Sequence, residues 1–169
     1  MKKLLLVLVS IFIVGAINAQ VKIAYVNSNK VLDTLPSRKA AVKELQEFSA
    51  AADKELTDLD TELQKAYEKY VKERETLSQV LRQYEEERIQ KMQTNIQTRE
   101  QELQQRLQQR NNDLNAPVLK ILQTAVENVS ERKKLNYVMD ETQLLYSKGG
   151  TDITTEVIEE ALKLDVTKK

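Results

Sequence analysis

The side chains that most often carry covalent or metal chemistry are missing from this sequence. Its 169 residues include no His and no Cys, which excludes a Ser-His-Asp or Cys-His nucleophile, a zinc site of the usual kind and a disulfide. Only carboxylates, amines and hydroxyls are left for acid-base work. We therefore expect no catalytic residue, no cofactor and no metal site, and predict that the protein is not an enzyme.

The densest group of carboxylates is the glutamate run at residues 85–87. Consecutive residues of a helix point in different directions, so these three cannot converge on one ion, and a solvated charge run is the simpler interpretation. Asp140 and Asp152 are most simply turn and cap residues. Gly149 and Gly150 are the only glycines after the first twenty residues, which excludes a glycine-rich phosphate loop.

The charge balance is neutral, with 26 Lys and Arg against 26 Asp and Glu. Nucleic-acid-binding proteins usually have a basic excess, so no nucleic-acid partner is expected. Charged residues make up 31% of the chain and aromatic residues 5%. This composition is typical of long helices and coiled coils.

The N-terminus is typical of an export signal. Residues 1–19 contain two lysines, then an apolar run, then small residues. The apolar run is too short to span a bilayer as a helix, so we interpret the segment as a signal peptide cleaved after Ala19 or Ala16. An uncleaved, membrane-anchored form is the alternative. Without cysteine, the exported chain depends on burial or assembly for its stability.

Residues 37–116, between Pro36 and Pro117, contain neither Gly nor Pro, so nothing in this stretch breaks a helix. Its apolar residues recur every three or four positions, as in a coiled-coil seam. One local shift toward an 11-residue period lies near Ala52 to Leu59. The seam comprises Ala41, Leu45, Phe48, Ala52, Leu56, Leu59, Leu63, Ala66 and Tyr70.

A second, weaker seam comprises Ile89, Met92, Ile96, Leu103, Leu107 and Leu114. Arg99 and Arg110 occupy the intervening seam positions. We expect them to pair with Glu or Asp on the facing helix; the alternative is that they loosen the arm. If the chain reverses direction, the two seams can pack against each other, so an antiparallel helical hairpin is predicted. Its tip is expected near residues 75–81.

The two ends of the chain have a different pattern. Residues 21–26 alternate and predict a strand, and residues 27–29 suit the cap of a short helix. Towards the C-terminus, residues 135–140 and 144–146 predict two short strands, which we interpret as a β-hairpin. Thr154 is expected to cap the last helix.

These segments divide the chain into a signal peptide (1–19), a discontinuous oligomerisation body (20–36 and 117–169) and a helical-hairpin arm (37–116). Pro117 is expected in the first turn of a new helix. The predicted fold class is α+β, with a small β-body and a long antiparallel coiled-coil hairpin. Such a small body is a candidate for oligomerisation through its strand edges. The candidate residues for this role are Ile23, Tyr25, Leu135, Tyr137, Met139 and Leu145.

The sequence resembles the Skp/OmpH family of periplasmic chaperones. The resemblance is carried by IAYVNSNKVLD from Ile23, by the long charged helical middle, and by LNYVMDETQLLYSKGGTDITTEVIEEALK from Leu135. It implies a homotrimer whose three hairpin arms hang like tentacles around a cavity. It also implies that unfolded outer-membrane proteins are the partners, held in the periplasm without ATP.

The chain departs from the best-known members of that family, which are strongly basic. Because it is near neutral, we expect it to hold clients by short-range contacts distributed over the arms. Contact with an outer-membrane or lipid surface is left open for the same reason. The client-contact candidates are Tyr67, Tyr70, Val71, Leu77, Val80, Leu81 and Tyr84, of which Tyr70, Leu77 and Tyr84 have the seven-residue spacing of a packing seam.

The predicted function is therefore a periplasmic holdase chaperone that prevents the aggregation of unfolded proteins. The alternative is a structural coiled-coil envelope protein that binds one folded partner. The alternative predicts a defined, saturable partner and no general protection against aggregation.

Overall fold

A computed structural model describes residues 21–166 of the chain. The predicted signal peptide, residues 1–19, lies outside the described residues. The elements in chain order are β1 (Ile23–Val26), α1 (Ser28–Thr34), α2 (Pro36–Glu73), α3 (Gln79–Lys133), β2 (Tyr137–Asp140), a 3-10 helix (Glu141–Gln143), β3 (Thr151–Asp152) and α4 (Thr154–Val166).

The chain divides into two compact units. The body contains the residues up to Leu35 together with those from Val118 onward, and the arm is Pro36–Pro117. The body thus joins both ends of the chain, and the arm is the segment between them. A small sheet combined with long helices confirms the predicted α+β fold class.

The sheet of the body has three parallel strands in the order β2-β1-β3. Along β2, Ile23 is paired with Tyr137 and Val26 with Asp140. On the other side, Ala24 is paired with Thr151. The N-terminal strand is therefore central, and both of its neighbours come from the C-terminal part of the chain.

The predicted β-hairpin is wrong. Residues 135–140 include β2, but residues 144–146 are not a strand, and β2 pairs with β1. The Asp140 carboxylate accepts hydrogen bonds from the backbone N–H (2.8 Å) and the hydroxyl (2.5 Å) of Thr142. These bonds begin a 3-10 helix where a hairpin would need a reverse turn. The following loop includes Gly149, at a φ of 91°, and leads to β3 on the other side of β1.

Helices α1 and α4 and the C-terminal part of α3 supply the apolar side chains that pack with one face of the sheet. On β1, Ala24 and Val26 are buried, whereas Ile23 is exposed. On the opposite face, Tyr25 is partly buried beside the loop that contains Gly150. The buried core comprises Ala24, Val26, Val31, Leu35, Val118, Ile121, Ala125, Val129, Ile153, Val157 and Ala161.

Helix α3 is continuous through Pro117, so the expectation that a new helix begins there is wrong. Proline has no N–H, which leaves the carbonyl of Asp113 without its usual helical partner. Val118 and Ile121, just beyond it, are buried in the body core, and this burial favours continuation of the helix. Helix α3 ends before Lys134, which adopts the left-handed conformation found at many helix ends (φ 56°).

Side chains that follow the strands begin the next helices. The Asn27 side chain accepts a hydrogen bond from the N–H of Lys30 (2.9 Å), which confirms the predicted cap of α1. Thr154, expected as a cap, is instead the first residue of α4, and Asp152 accepts its N–H (2.8 Å) and its hydroxyl (2.6 Å). The predicted turn and cap roles of Asp140 and Asp152 are confirmed.

Replacing Asp152 is expected to make stability less dependent on pH. Asp152→Ala should lower the free energy of unfolding at neutral pH by about 1 kcal/mol, because α4 loses the acceptor for its first N–H. Hydrogen bonds from Thr154 hold the pKa of the Asp152 carboxyl below its ordinary value. Its contribution is therefore present above the unfolded-state pKa of about 3.9 and is lost as the pH falls through the lower folded-state pKa.

Urea unfolding followed by circular dichroism at neutral pH and at about pH 2 measures this difference. Glu159→Ala is the matched control, because Glu159 is exposed on the same helix. A difference between wild type and Asp152→Ala that stays constant across this range would contradict the assignment.

Candidate functional site

The seam between α2 and α3 positions the side chains of the arm. All nine predicted seam residues of α2 are buried or partly buried, and so are the six of α3. This burial, together with the ion pairs of Glu55 with Arg99 and of Glu44 with Arg110, confirms the predicted antiparallel pairing. The two helices are joined by a turn between Glu73 and Gln79. The most buried residues of the arm are Ala41, Ala66, Tyr70, Ile89 and Leu103.

Two arginines of the α3 seam form ion pairs across to α2. Arg99 Nε donates to Glu55 (2.6 Å), and Arg110 Nη2 donates to Glu44 (2.6 Å), which confirms the expected pairing with acids on the facing helix. Hydrogen bonding to Arg99 holds the pKa of the Glu55 carboxyl below its ordinary value. The same bond raises the pKa of Arg99, so both groups stay charged at neutral pH.

Two of the glutamates at residues 85–87 make separate contacts. Glu85 accepts a hydrogen bond from Arg88 of its own helix (2.9 Å), and Glu86 accepts one from the hydroxyl of Tyr70 on α2. The bond to Glu86 raises the pKa of Tyr70. Within residues 21–166, no three acidic side chains are grouped as metal ligands would be.

Five of the seven client-contact candidates expose at least half of their surface. They are Tyr67, Val71, Val80, Leu81 and Tyr84, hereafter the distal set. Residues four positions apart are neighbours on a helix surface, so Tyr67 lies beside Val71 on α2 and Val80 beside Tyr84 on α3. Single exposed apolar residues are normal, whereas these five, two before the turn and three after it, form a local concentration of exposed apolar surface.

The other two candidates belong to the packing of the arm. Tyr70 is 9% exposed and forms a buried cluster with Ala66 and Ile89, against which Leu77 packs. The seven-residue spacing therefore identified seam positions correctly for Tyr70 and Leu77. It failed for Tyr84, which is 61% exposed.

A second exposed apolar surface lies on the side of the body sheet that faces away from the core. Four of the six oligomerisation candidates, together with one further residue, expose two-fifths or more of their surface there or in the adjoining loop. They are Ile23, Tyr137, Met139, Leu145 and Tyr146, hereafter the body surface.

The remaining oligomerisation candidates are more enclosed. Leu135 packs against the body core. Tyr25 is partly buried, and a Cβ atom at Gly150 would lie 3.1 Å from its ring. Tyr146, 76% exposed, was missing from the candidate residues although it adjoins Leu145. If residues 144–146 formed a strand, Leu145 and Tyr146 would face opposite sides of the sheet and would not share a surface.

No described helix is long and apolar enough to cross a membrane.

Comparison with known proteins shows similarity over most of the chain. Residues 22–160 match the family described as outer membrane protein (OmpH-like). The sequence is 33% identical over 147 residues to Chaperone protein Skp of Yersinia pseudotuberculosis serotype I, covering 86% of this chain and 88% of that protein. It is 29% identical over 150 residues to Chaperone protein Skp of Photorhabdus laumondii subsp. laumondii, covering 88% and 90% respectively.

A solved structure has the same fold. The crystal structure of an OmpH-like outer membrane chaperone from Caulobacter crescentus CB15 matches with a TM-score of 0.76 and 18% identity, over 86% of each chain. At this identity the similarity supports the fold alone.

The two classes of arm residue are expected to differ in their effect on stability. Ile89→Ala should lower the free energy of unfolding by about 2 kcal/mol, because it leaves a gap in the buried cluster with Ala66 and Tyr70. Val80→Ala, which truncates an exposed aliphatic residue of the same helix, should stay within about 0.5 kcal/mol of wild type. Urea unfolding followed by circular dichroism compares them. Equal losses would show that burial does not separate the seam from the distal set.

Proposed function

Because this chain belongs to the family of OmpH-like outer membrane proteins, we propose that it is an ATP-independent periplasmic holdase that binds unfolded outer-membrane proteins and prevents their aggregation. Its relatives in Yersinia and Photorhabdus are named as chaperones. The structural observation that carries the proposal is the distal set. These five side chains stay exposed near the turn, whereas the predicted seam residues of the arm are buried or partly buried.

Holding is proposed to rely on many weak contacts. Burying one aliphatic or aromatic side chain against a client contributes at most about 1.5–3 kcal/mol, too little to fix one client conformation. Several such contacts on several arms together give a higher overall affinity, because once one contact has formed, the effective concentration of the client at the others is high. Tyr67 and Tyr84 offer rings with a polar hydroxyl, which suit varied partners. A client leaves when its own folding buries the apolar surface that the arms had covered.

The chain is proposed to assemble as a homotrimer through the body surface. Large apolar side chains beside sheet edges are a liability for a soluble protein, and association with further copies removes it. Within the described chain, β2 and β3 each pair on one side only, with β1. In the proposed trimer, three arms surround a shared cavity that holds the client.

The proposed location is the periplasm, reached through removal of residues 1–19, with cleavage after Ala19 or Ala16. The N-terminal sequence supports this proposal through its two lysines, apolar run and small residues. Unfolded outer-membrane proteins cross that compartment, so a holdase there meets them before they insert. The proposed holding is a binding equilibrium, for which neither catalysis nor a nucleotide is required.

Replacing the distal set is expected to weaken holding while leaving the fold intact. A variant with Tyr67, Val71, Val80, Leu81 and Tyr84 all changed to Ser should bind an unfolded β-barrel protein at least about tenfold more weakly, because the main apolar contacts are lost. Light scattering after dilution of the barrel from urea, with chaperone at stoichiometric amounts, measures the protection. The control combines Val42→Ser with Leu119→Ser, two exposed apolar residues outside the distal set.

The outcomes of this experiment test the holdase function and its contact surface separately. If the wild-type protein does not delay aggregation, the holdase proposal is rejected, and saturable binding of a single folded partner would favour the structural alternative. If wild type and the five-serine variant protect equally, the holdase function stands and the distal set is not its contact surface.

Charges placed on the body surface are expected to disperse the assembly. Native mass spectrometry should give three times the chain mass for wild type. Tyr137→Asp combined with Met139→Asp should give the single-chain mass, because an interface cannot bury unpaired carboxylates cheaply. Tyr84→Asp, a change at an exposed tyrosine of the arm, should leave the trimer intact. A monomeric wild-type protein would contradict the proposed assembly.

A further inference from the structure

One level of the arm is held by charged groups where an apolar contact is expected. Arg99 occupies the seam position between Ile96 and Leu103. Its Nε and Nη2 donate to the two carboxylate oxygens of Glu55 on α2 (2.6 and 3.2 Å), and its Nη1 donates to Glu102 of its own helix (2.9 Å). We refer to Glu55, Arg99 and Glu102 as the Arg99 layer.

The packing at this layer is incomplete. A cleft of about 260 Å³ lies beside it, lined by Glu55, Leu59, Asn95, Thr98, Arg99 and Glu102. The side chains of Arg99, Glu55 and Glu102 are 28%, 43% and 50% exposed. An ion pair in contact with water contributes less than a buried apolar pair would, and it is weakened further by salt.

The seams of both helices shift their period at the same level. On α2, Phe48, Ala52 and Leu56 are separated by two successive steps of four residues. On α3, Arg99 is followed by Leu103 and Leu107 at two steps of four. Such shifts locally unwind a coiled coil. The ion pair between Glu55 and Arg99 shows that the two shifts face each other.

Two other levels of the arm have apolar contacts across the seam. The distal end is held by the buried cluster of Ala66, Tyr70 and Ile89. Arg110 also occupies a seam position, but its guanidinium lies over the ring of Phe48, 5.6 Å from the centroid. Stacking of this kind covers the apolar seam with the planar head group. The Arg99 layer therefore combines three features, an ion pair, a cleft and a double seam shift, that favour separation of the helices.

We propose that the two helices of the arm separate first at the Arg99 layer, while the buried cluster near the turn stays closed. Opening there exposes Leu59 and Ile96 and lets the arm change its curvature. The consequence for clients, an arm that adapts to their size, rests on the proposed holdase function. The opening itself does not, and it is measured without any client.

Hydrogen-deuterium exchange of the whole assembly, followed by mass spectrometry, tests the proposal. Amides of residues 52–59 and 95–103 should exchange at least about tenfold faster than those of residues 63–70 and 85–92. Raising NaCl from about 0.05 M to about 1 M should speed exchange in the first pair of segments only, because salt screens the ion pair.

Two substitutions at the layer are expected to act in opposite directions. Arg99→Leu continues the apolar seam, and Glu55 and Glu102 stay hydrated because they are half exposed, so exchange there should slow about tenfold. Glu55→Gln weakens the ion pair while keeping the shape of the side chain, so exchange should quicken. Arg88→Leu is the matched control, because among the ion pairs of the described chain Arg88 pairs only with Glu85 of its own helix. This substitution should leave the exchange rates of residues 52–59 and 95–103 unchanged.

Either of two results would overturn the proposal. One is that the segments around the Arg99 layer exchange as slowly as those of the buried cluster. The other is that Arg99→Leu, shown by circular dichroism to be folded, speeds their exchange, which would make the ion pair a lock. If Arg99→Leu does not fold, the salt series and Glu55→Gln decide the question, and a loss of holding with normal exchange would bear on the function alone.

Discussion

The pairing of β1 with strands from the other end of the chain is the constraint on which the rest of the structure depends. The N–H of Lys22 donates to Asn136, 114 positions away, and the N–H of Asn27 donates to Thr154, 127 positions away. Because the body needs both ends, the segment between them has to leave and return. A stretch without Gly or Pro does so most simply as two long helices joined by one turn.

A pair of helices gives each partner only one neighbour. The seam buries a narrow stripe, and every side chain outside it meets water. Tyr70 lies in that stripe and Tyr67, three residues earlier, lies outside it. The stability of the arm depends little on residues outside the stripe, so their identity is free to serve contact with other molecules. Along most of the arm they are charged or amide side chains, and near the turn they are tyrosine, valine and leucine.

The parts of the fold that follow local rules could be predicted from the sequence, and the parts set by distant contacts could not. Three-and-four spacing fixes a helical seam, which is why the burial of α2 was predictable residue by residue. Alternation predicts a strand but not its partner, and β3, Thr151–Asp152, is too short to have a pattern. The passage of α3 through Pro117 depends on burial in the body core, which no local signal reports. At the site, Tyr70 and Tyr84 share one spacing, and the new seam phase after the turn leaves only the first of them buried.

The central position of β1 also affects the order in which the parts of the fold can form. The strand is made first, yet both of its hydrogen-bonding neighbours are made last, so closing the sheet means closing a loop of more than a hundred residues. Local contacts form faster than distant ones, and the arm helices have the local ones. During synthesis the chain therefore contains an apolar strand with two open edges. Until β3 and α4 have been synthesised, a protein that is proposed to hold unfolded β-strands itself contains an unpaired β-strand.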